Sequence, residues 1–189
     1  MKIICVNNII NSTKKPYFYL KPDSCLVRNN TNIYIPFIAN KMKVSFGILV
    51  KVIKIGKTIN ENFANNYYEE IAIANNYEID LTDKHKTEVF DFQLERAIDN
   101  SLAVSSFFNK NDIINKPLSF SINESTIVKE IEISANIVNK SIEFVSQFLT
   151  FKIGDLLYID IADYYKSVEI NDRINSYLSN KIAQDYTIK

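Results

Sequence analysis

Residues 44–57, VSFGILVKVIKIGK, constrain the fold more than any other run in the chain. At the period of two that a β-strand imposes, Val44, Phe46, Ile48, Val50 and Val52 share one face, which marks that face as core. Ser45, Gly47, Leu49 and Lys51 share the other. The first set is a folding pattern. The second set, small and mixed, leaves open what that face is for.

The rest of the chain reads around this strand. KIICV (2–6) is a short apolar strand, and YFYLKPDSCLV (17–27) is a strand, a Lys21-Pro22-Asp23 turn and more extended chain. IYIPFI (33–38) predicts a further strand, with Pro36 placing it at an edge or a bulge. The long strand is expected over 44–55. Asn60 is placed to cap a short helix carrying Phe63, Tyr67 and Ile71 at four-residue spacing, after which EIAIANNYEI alternates again. FQLERAI (92–98) suggests a second helix. Asn139 is placed to cap a helix over 139–149 with Ile142, Val145 and Leu149 as its stripe and Phe144 and Phe148 alongside. Gly154, in the turn from Lys152 to Asp155, is a candidate left-handed position before a strand over 156–161. Strands outnumber helices, so the expected class is a β-rich α+β domain.

Length and composition bound the function. The 189 residues with 47% hydrophobic content are enough for one real core, and a single domain over 1–189 is expected. Formal net charge is zero and the basic residues are scattered, so no footprint for nucleic acid or an anionic membrane is drawn. No run reaches the ~18 apolar residues that span a bilayer, and MKIICVNN lacks the pattern of a secretory signal. The cytoplasm is the expected address, and Cys5 and Cys25 are expected as reduced core thiols rather than a disulfide or metal pair. Asn, Ile, Lys and Tyr are abundant and Gly occurs three times, a bias that AT-rich codons also produce.

Chemistry-bearing motifs are scarce. Three isolated glycines exclude a glycine-rich phosphate loop, and with it the usual nucleotide cofactors. His85 is the only histidine and sits in the polar run DLTDKHKTE, where a solvated loop residue is expected, not a general base. Ser101 or Ser105 could join it in a paper triad, but no nucleophile-elbow sequence surrounds either. Cys5 and Cys25 have no partners at zinc spacing. FVSQFLTF has the spacing of helix packing, not of a stacking platform for bases.

Taken in order, YFYLKPDSCLV, VSFGILVKVIKIGK with YYEEIAIAN, RAIDNSLAV, PLSFSIN and FVSQFLTFKIGDLLYI resemble the small single-domain members of the fumarylacetoacetate hydrolase family. The resemblance spans most of the chain. It implies a mixed β-roll or β-sandwich with short helices, and a homodimer. Active members of that family hold Mg or Mn with a Glu-x-Glu pair on a strand and a later Asp, and use it to chelate a small 2-oxo acid. Glu at i and i+2 share a strand face, and a hard dication needs several anionic oxygens.

Carried onto this chain, the Glu-x-Glu positions fall on Ser45 and Gly47 and the Asp position on Asn76, so all three carboxylates are missing. The water-activating His and Glu are expected in the N-terminal stretch, shortened here to CVNNIINSTKKPY, which has neither. The family's Thr-Gly-Thr-Pro loop corresponds to Ile159, Asp160, Ile161 and Ala162. Lys21 and Ser24 survive, as do Arg96 and Asp99 where the family has a Lys and an Asp. Lys21, Arg96 and Asp99 are therefore the candidate residual substrate-binding residues. No catalytic residue, metal ligand or cofactor is expected. The resemblance thus implies a protein that has lost the family's metal site, with a structural, regulatory or partner role. The alternative is a divergent hydrolase, decarboxylase or tautomerase of small 2-oxo acids. Tyr77, Ile159 and Ile161 are expected to crowd the old cavity.

Overall fold

The computed structural model describes residues 1–10, 13–28, 30–87, 89–162 and 164–189. Two residues of the shortened N-terminal stretch, Asn11 and Ser12, lie outside it, as does Glu88 of the polar run around His85. The strands are β1 (Ile3–Asn7), β2 (Tyr17–Lys21), β3 (Leu26–Val27), β4 (Ala39–Val52), β5 (Tyr68–Leu81), β6 (Leu102–Val104) and β7 (Phe108–Asn109). They continue as β8 (Pro117–Ile122), β9 (Ser125–Glu132), β10 (Leu156–Asp160), β11 (Lys166–Val168), β12 (Arg173–Leu178) and β13 (Lys181–Thr187). Short helices α1 (Glu61–Ala64), α2 (Asp91–Leu94) and α3 (Lys110–Ile113) join one long helix, α4 (Ala135–Phe148).

The two 14-residue strands β4 and β5 pair antiparallel, Ser45 opposite Asn76, and form the spine of the larger sheet. Its strand order is β2-β1-β10-β4-β5-β6-β3, with β1 and β10 parallel. The sheet curls. Tyr19 on β2 touches Asn76 on β5, and Lys21 on β2 donates to the carbonyl of Tyr77. Four inter-strand steps would hold these residues ~19 Å apart in a flat sheet. A second sheet, β13-β12-β8-β9, covers the convex side with α4. The result is the β-rich α+β roll expected from the sequence. No described helix is long and apolar enough to cross a membrane.

The alternation of β4 separates two cores. Val44, Phe46, Ile48, Val50 and Val52 join the large convex core, as predicted. Leu49 faces a smaller concave core with Ile3, Cys5, Tyr19, Leu156 and Tyr158. Both cysteines are buried and free, and burial pushes the Cys5 thiol up to about 12.

Local expectations divide. Asn60 caps α1 by accepting from the amide of Asn62, and Gly154 has φ +86°. The helix after Asn60 stops at Ala64, however, and Ile71 lies in β5. Residues 33–38 form no strand: Ile33 makes one bridge to Ile188, Pro36 has no amide to donate, and Phe37 is 91% exposed. β4 begins at Ala39 and ends at Val52 rather than running over 44–55, since the amide of Ile53 turns to the carbonyl of Tyr67. The helix expected over 92–98 is one turn, α2. α4 begins four residues before Asn139, because Val138, Ile142 and Val145 make the buried stripe and burying Val138 extends the helix backwards. Asn139 instead accepts from the Tyr68 hydroxyl at 3.3 Å.

Candidate functional site

The concave face of the half-barrel changes character along its length. At one end it is apolar. At the other, side chains alternating at period two bring Lys43, Ser45 and Gly47 of β4 beside Asn76, Glu78 and Asp80 of β5, with Asn7, Lys21 and Asp160 from the flanking strands.

Ser45 and Asn76, placed apart in the sequence, do face each other here. Each is already engaged by a tyrosine: the Ser45 hydroxyl lies 3.0 Å from that of Tyr158, and the Asn76 amide donates to Tyr19 at 2.8 Å. Burial holds both phenols well above their ordinary range. Gly47 lies under the ring of Tyr158. A Cβ there would stand 2.2 Å from the carbonyl oxygen of Ile159 and 2.7 Å from the ring, so this backbone admits only glycine at 47 and has no room for a carboxylate side chain.

The three proposed substrate residues are only partly brought together. Lys21 is buried and donates to the carbonyl of Tyr77 at 3.0 Å and to Ser101 Oγ at 2.6 Å. Burial lowers its pKa, against the nearby thiols and Glu78, which favour the ammonium. Arg96 lies 3.9 Å from the centre of the Phe92 ring, with Nη2 2.7 Å from Glu78 Oε2. That ion contact is off line for a hydrogen bond, and Glu78 Oε2 and Arg96 Nε have no aligned partner. Burial raises the Glu78 pKa and Arg96 opposes it. Asp99 is set apart at the surface, where it accepts from Ser24 in the turn after β2. The space beside Tyr77, Asp99 and Ser101 amounts to about 10 Å³.

One expectation is corrected. Tyr77, Ile159 and Ile161 do not crowd this face, because alternation turns them into the convex core, where Tyr77 bonds Tyr186 at 2.7 Å. Tyr19 and Tyr158 fill the concave side instead. Ser105 also belongs to the fold, accepting from the amide of Ile73 and donating to the carbonyl of Ser106. His85 bonds Thr82 in a surface turn.

Sequence reasoning missed Lys43, Glu78, Asp80, Tyr19 and Tyr158, and met Asp160 only within the segment matched to the family's Thr-Gly-Thr-Pro loop. Extending the period of two outward from Ser45 and Asn76 reaches the first three. The carboxylates are matched to donors: Asp80 to Lys43 at 2.7 Å, Glu78 to Arg96, and Asp160 to the Asn7 amide at 3.1 Å. Among the described residues no three His, Cys, Asp or Glu side chains form a metal-holding group. Three buried oxygens among the described residues have no hydrogen-bond partner: Asn7 Oδ1 and Asn76 Oδ1, which are neutral, and Glu78 Oε2, whose charge is matched by the Arg96 guanidinium. This donor set does not fit a hard dication.

No protein-family model matches the chain, and no curated protein is detectably similar to it in sequence. The fold is nonetheless that of the fumarylacetoacetate hydrolase class. A protein from Escherichia coli superposes with a TM-score of 0.83 at 19% identity, over 100% of this chain and 92% of its own. A 2-hydroxyhepta-2,4-diene-1,7-dioate isomerase from Mycobacterium marinum gives 0.80 at 16%, over 99% and 73%. A fumarylpyruvate hydrolase from Pseudomonas aeruginosa, solved with Mn²⁺ and pyruvate, gives 0.79 at 13%, over 100% and 89%.

Proposed function

We propose that this chain is a fumarylacetoacetate hydrolase family protein whose divalent-metal site has been replaced by packed side chains. It acts without the family's chemistry, as a homodimeric structural or regulatory partner. The observation that carries this reading is Tyr158. Its ring covers Gly47 and its hydroxyl engages Ser45, so packing occupies the positions that the resemblance assigns to metal-binding carboxylates.

The test is thermal unfolding with and without millimolar Mn²⁺, together with an assay of fumarylpyruvate hydrolysis. A ligand that binds only the native state must raise its stability with occupancy. The expected result is no shift and no Mn²⁺-dependent turnover. Micromolar Mn²⁺ binding, or turnover that needs it, overturns the reading. Light scattering at micromolar concentration should give a dimer mass, and a monomer refutes that part.

A second reading draws on Lys21, a buried amine whose pKa burial has lowered. It is a metal-free enzyme acting on a small 2-oxo acid through an imine at this amine. Borohydride reduction in the presence of pyruvate distinguishes the two: a covalent adduct on Lys21 favours the enzyme, and an unmodified Lys21 favours the packed site.

A further inference from the structure

Away from the polar end of the concave face, the chain has a second cavity, of about 430 Å³, where β4 and β6 end and β10 begins. Lys51, on its rim, is six residues along β4 from Ser45, or ~20 Å at the rise of a strand. The floor is apolar, made of buried Val104 and Leu156, with Phe107 beside them. The rim carries Arg28 and Lys51, and among the described residues no Asp or Glu lines the cavity. Lys51 is fixed by Glu70 at 2.6 Å and stands 5.8 Å from the centre of the Phe107 ring. Arg28 is exposed and takes part in no ion pair among the described residues.

We propose that this cavity binds a small organic carboxylate with an aliphatic or aromatic body. An unpaired guanidinium offers a planar fork that meets a carboxylate edge-on, and the Lys51 ammonium, although paired with Glu70, is a further donor at the same rim. The apolar floor takes the body of the ligand, and the volume lies in the range of small-molecule sites, roughly 300–1,000 Å³. Inorganic anions could satisfy the rim but would leave the floor empty. The site rests on none of the residues used in the functional reading above, and stands or falls separately from it.

Calorimetric titration of the full chain tests this with phenylacetate and hexanoate as probes. Phenylacetamide serves as the neutral isostere and inorganic phosphate as the bodiless anion. The expected result is that at least one of the two acids binds with a Kd below about 1 mM, while phenylacetamide and phosphate bind at least tenfold more weakly. Arg28→Ala should weaken the acid at least tenfold, and Ser106→Trp, at the exposed lip, should abolish binding. Both variants alter exposed side chains, and their unfolding midpoints report whether the fold is intact. If either variant fails to fold, Arg28→Gln takes its place. Equal binding of phenylacetamide or phosphate overturns the proposal. So does a change of under twofold in the Arg28 variant, or no binding of either acid up to about 10 mM. Loss of binding in Lys21→Met with retention in Arg28→Ala would move the ligand to the other end of the half-barrel and also overturn it.

Discussion

The three glycines sit in three different physical situations, and replacing each by alanine separates them. At Gly47 the added Cβ would lie 2.2 Å from the backbone oxygen of Ile159, which is held in the β10–β4 ladder and cannot retreat without breaking it. Overpacking of a fixed core costs typically 1–3 kcal/mol, and the immovable partner puts Gly47→Ala at the upper end, about 3 kcal/mol. For a chain of this length that lowers Tm by roughly 6–12 °C. At Gly56 the new Cβ meets only side-chain atoms, the nearest being Tyr67 Cε1 at 2.5 Å. That half-buried ring can turn aside, so the cost should be about 1 kcal/mol. At Gly154 nothing lies within 4 Å, and only the φ of +86° resists a side chain. The left-handed conformation costs about 1–2 kcal/mol there. Urea unfolding of the three variants gives the order directly. If Gly47→Ala costs no more than Gly154→Ala, the close approach of β10 to β4 at that point is wrong, and with it the argument that packing excludes a carboxylate at 47.

Asp155 is buried and accepts from both the amide and the ammonium of Lys2 and from the amide of Lys152. Burial alone would raise its pKa, but these donors outweigh burial and lower it below 3.8. The stability it contributes is complete above 3.8 and is lost as pH falls through the lowered folded value. Asp155→Asn should cost about 2 kcal/mol at neutral pH and lose that acid step in urea midpoints measured against pH. At the alkaline end, burial raises Tyr19, Tyr77 and Tyr158 above 10. Their contribution is complete below 10 and lost as pH rises through the folded values, so tyrosinate absorbance should appear together with unfolding and not ahead of it. Lys21, lowered from 10.5, works in the opposite direction as a single group.

What the sequence made legible was local. The core face of β4, the cap at Asn60 and the left-handed turn at Gly154 each depend on residues a few positions apart, and each is found where the spacing put it. IYIPFI failed because its pairing was decided at the far end of the chain: Ile33 bridges Ile188, and the amide of Ile35 goes to Lys189. The concave face is just as non-local. Tyr158 reads as one more residue of an apolar strand until the curl of the sheet lays it over Gly47, with 113 positions between it and Ser45. Tyr77 was expected in the cavity beside Asn76, although adjacent residues of a strand point to opposite faces and Tyr77 joins the convex core.

The dipeptide Asn75-Asn76 shows how that phase is set, and yields a last test. Two identical side chains point to opposite faces of β5: Asn76 into the concave cluster, Asn75 into the seam between the two sheets. The Asn75 amide nitrogen lies 3.1 Å from Ser176 Oγ, 3.2 Å from Gln184 Oε1 and 2.9 Å from the Tyr186 hydroxyl. It has two hydrogens for three acceptors, so the network is shared and not redundant. Ser176 and Gln184 are buried on β12 and β13, so Asn75, together with the Tyr77–Tyr186 pair, forms the polar tie across a largely apolar interface. Asn75→Leu keeps the volume and strands the Gln184 carbonyl, while Tyr186 keeps Tyr77. One to two unsatisfied buried groups put the loss at about 3 kcal/mol. Adding Gln184→Leu removes the stranded group, and the double variant should recover part of that loss, a positive coupling of about 1 kcal/mol or more in a double-mutant cycle. Asn76→Leu strands only Tyr19 and should cost less. A loss below about 1 kcal/mol for Asn75→Leu, or strict additivity with Gln184→Leu, would mean that water or a shifted side chain satisfies the seam and that the network does not hold the two sheets in register.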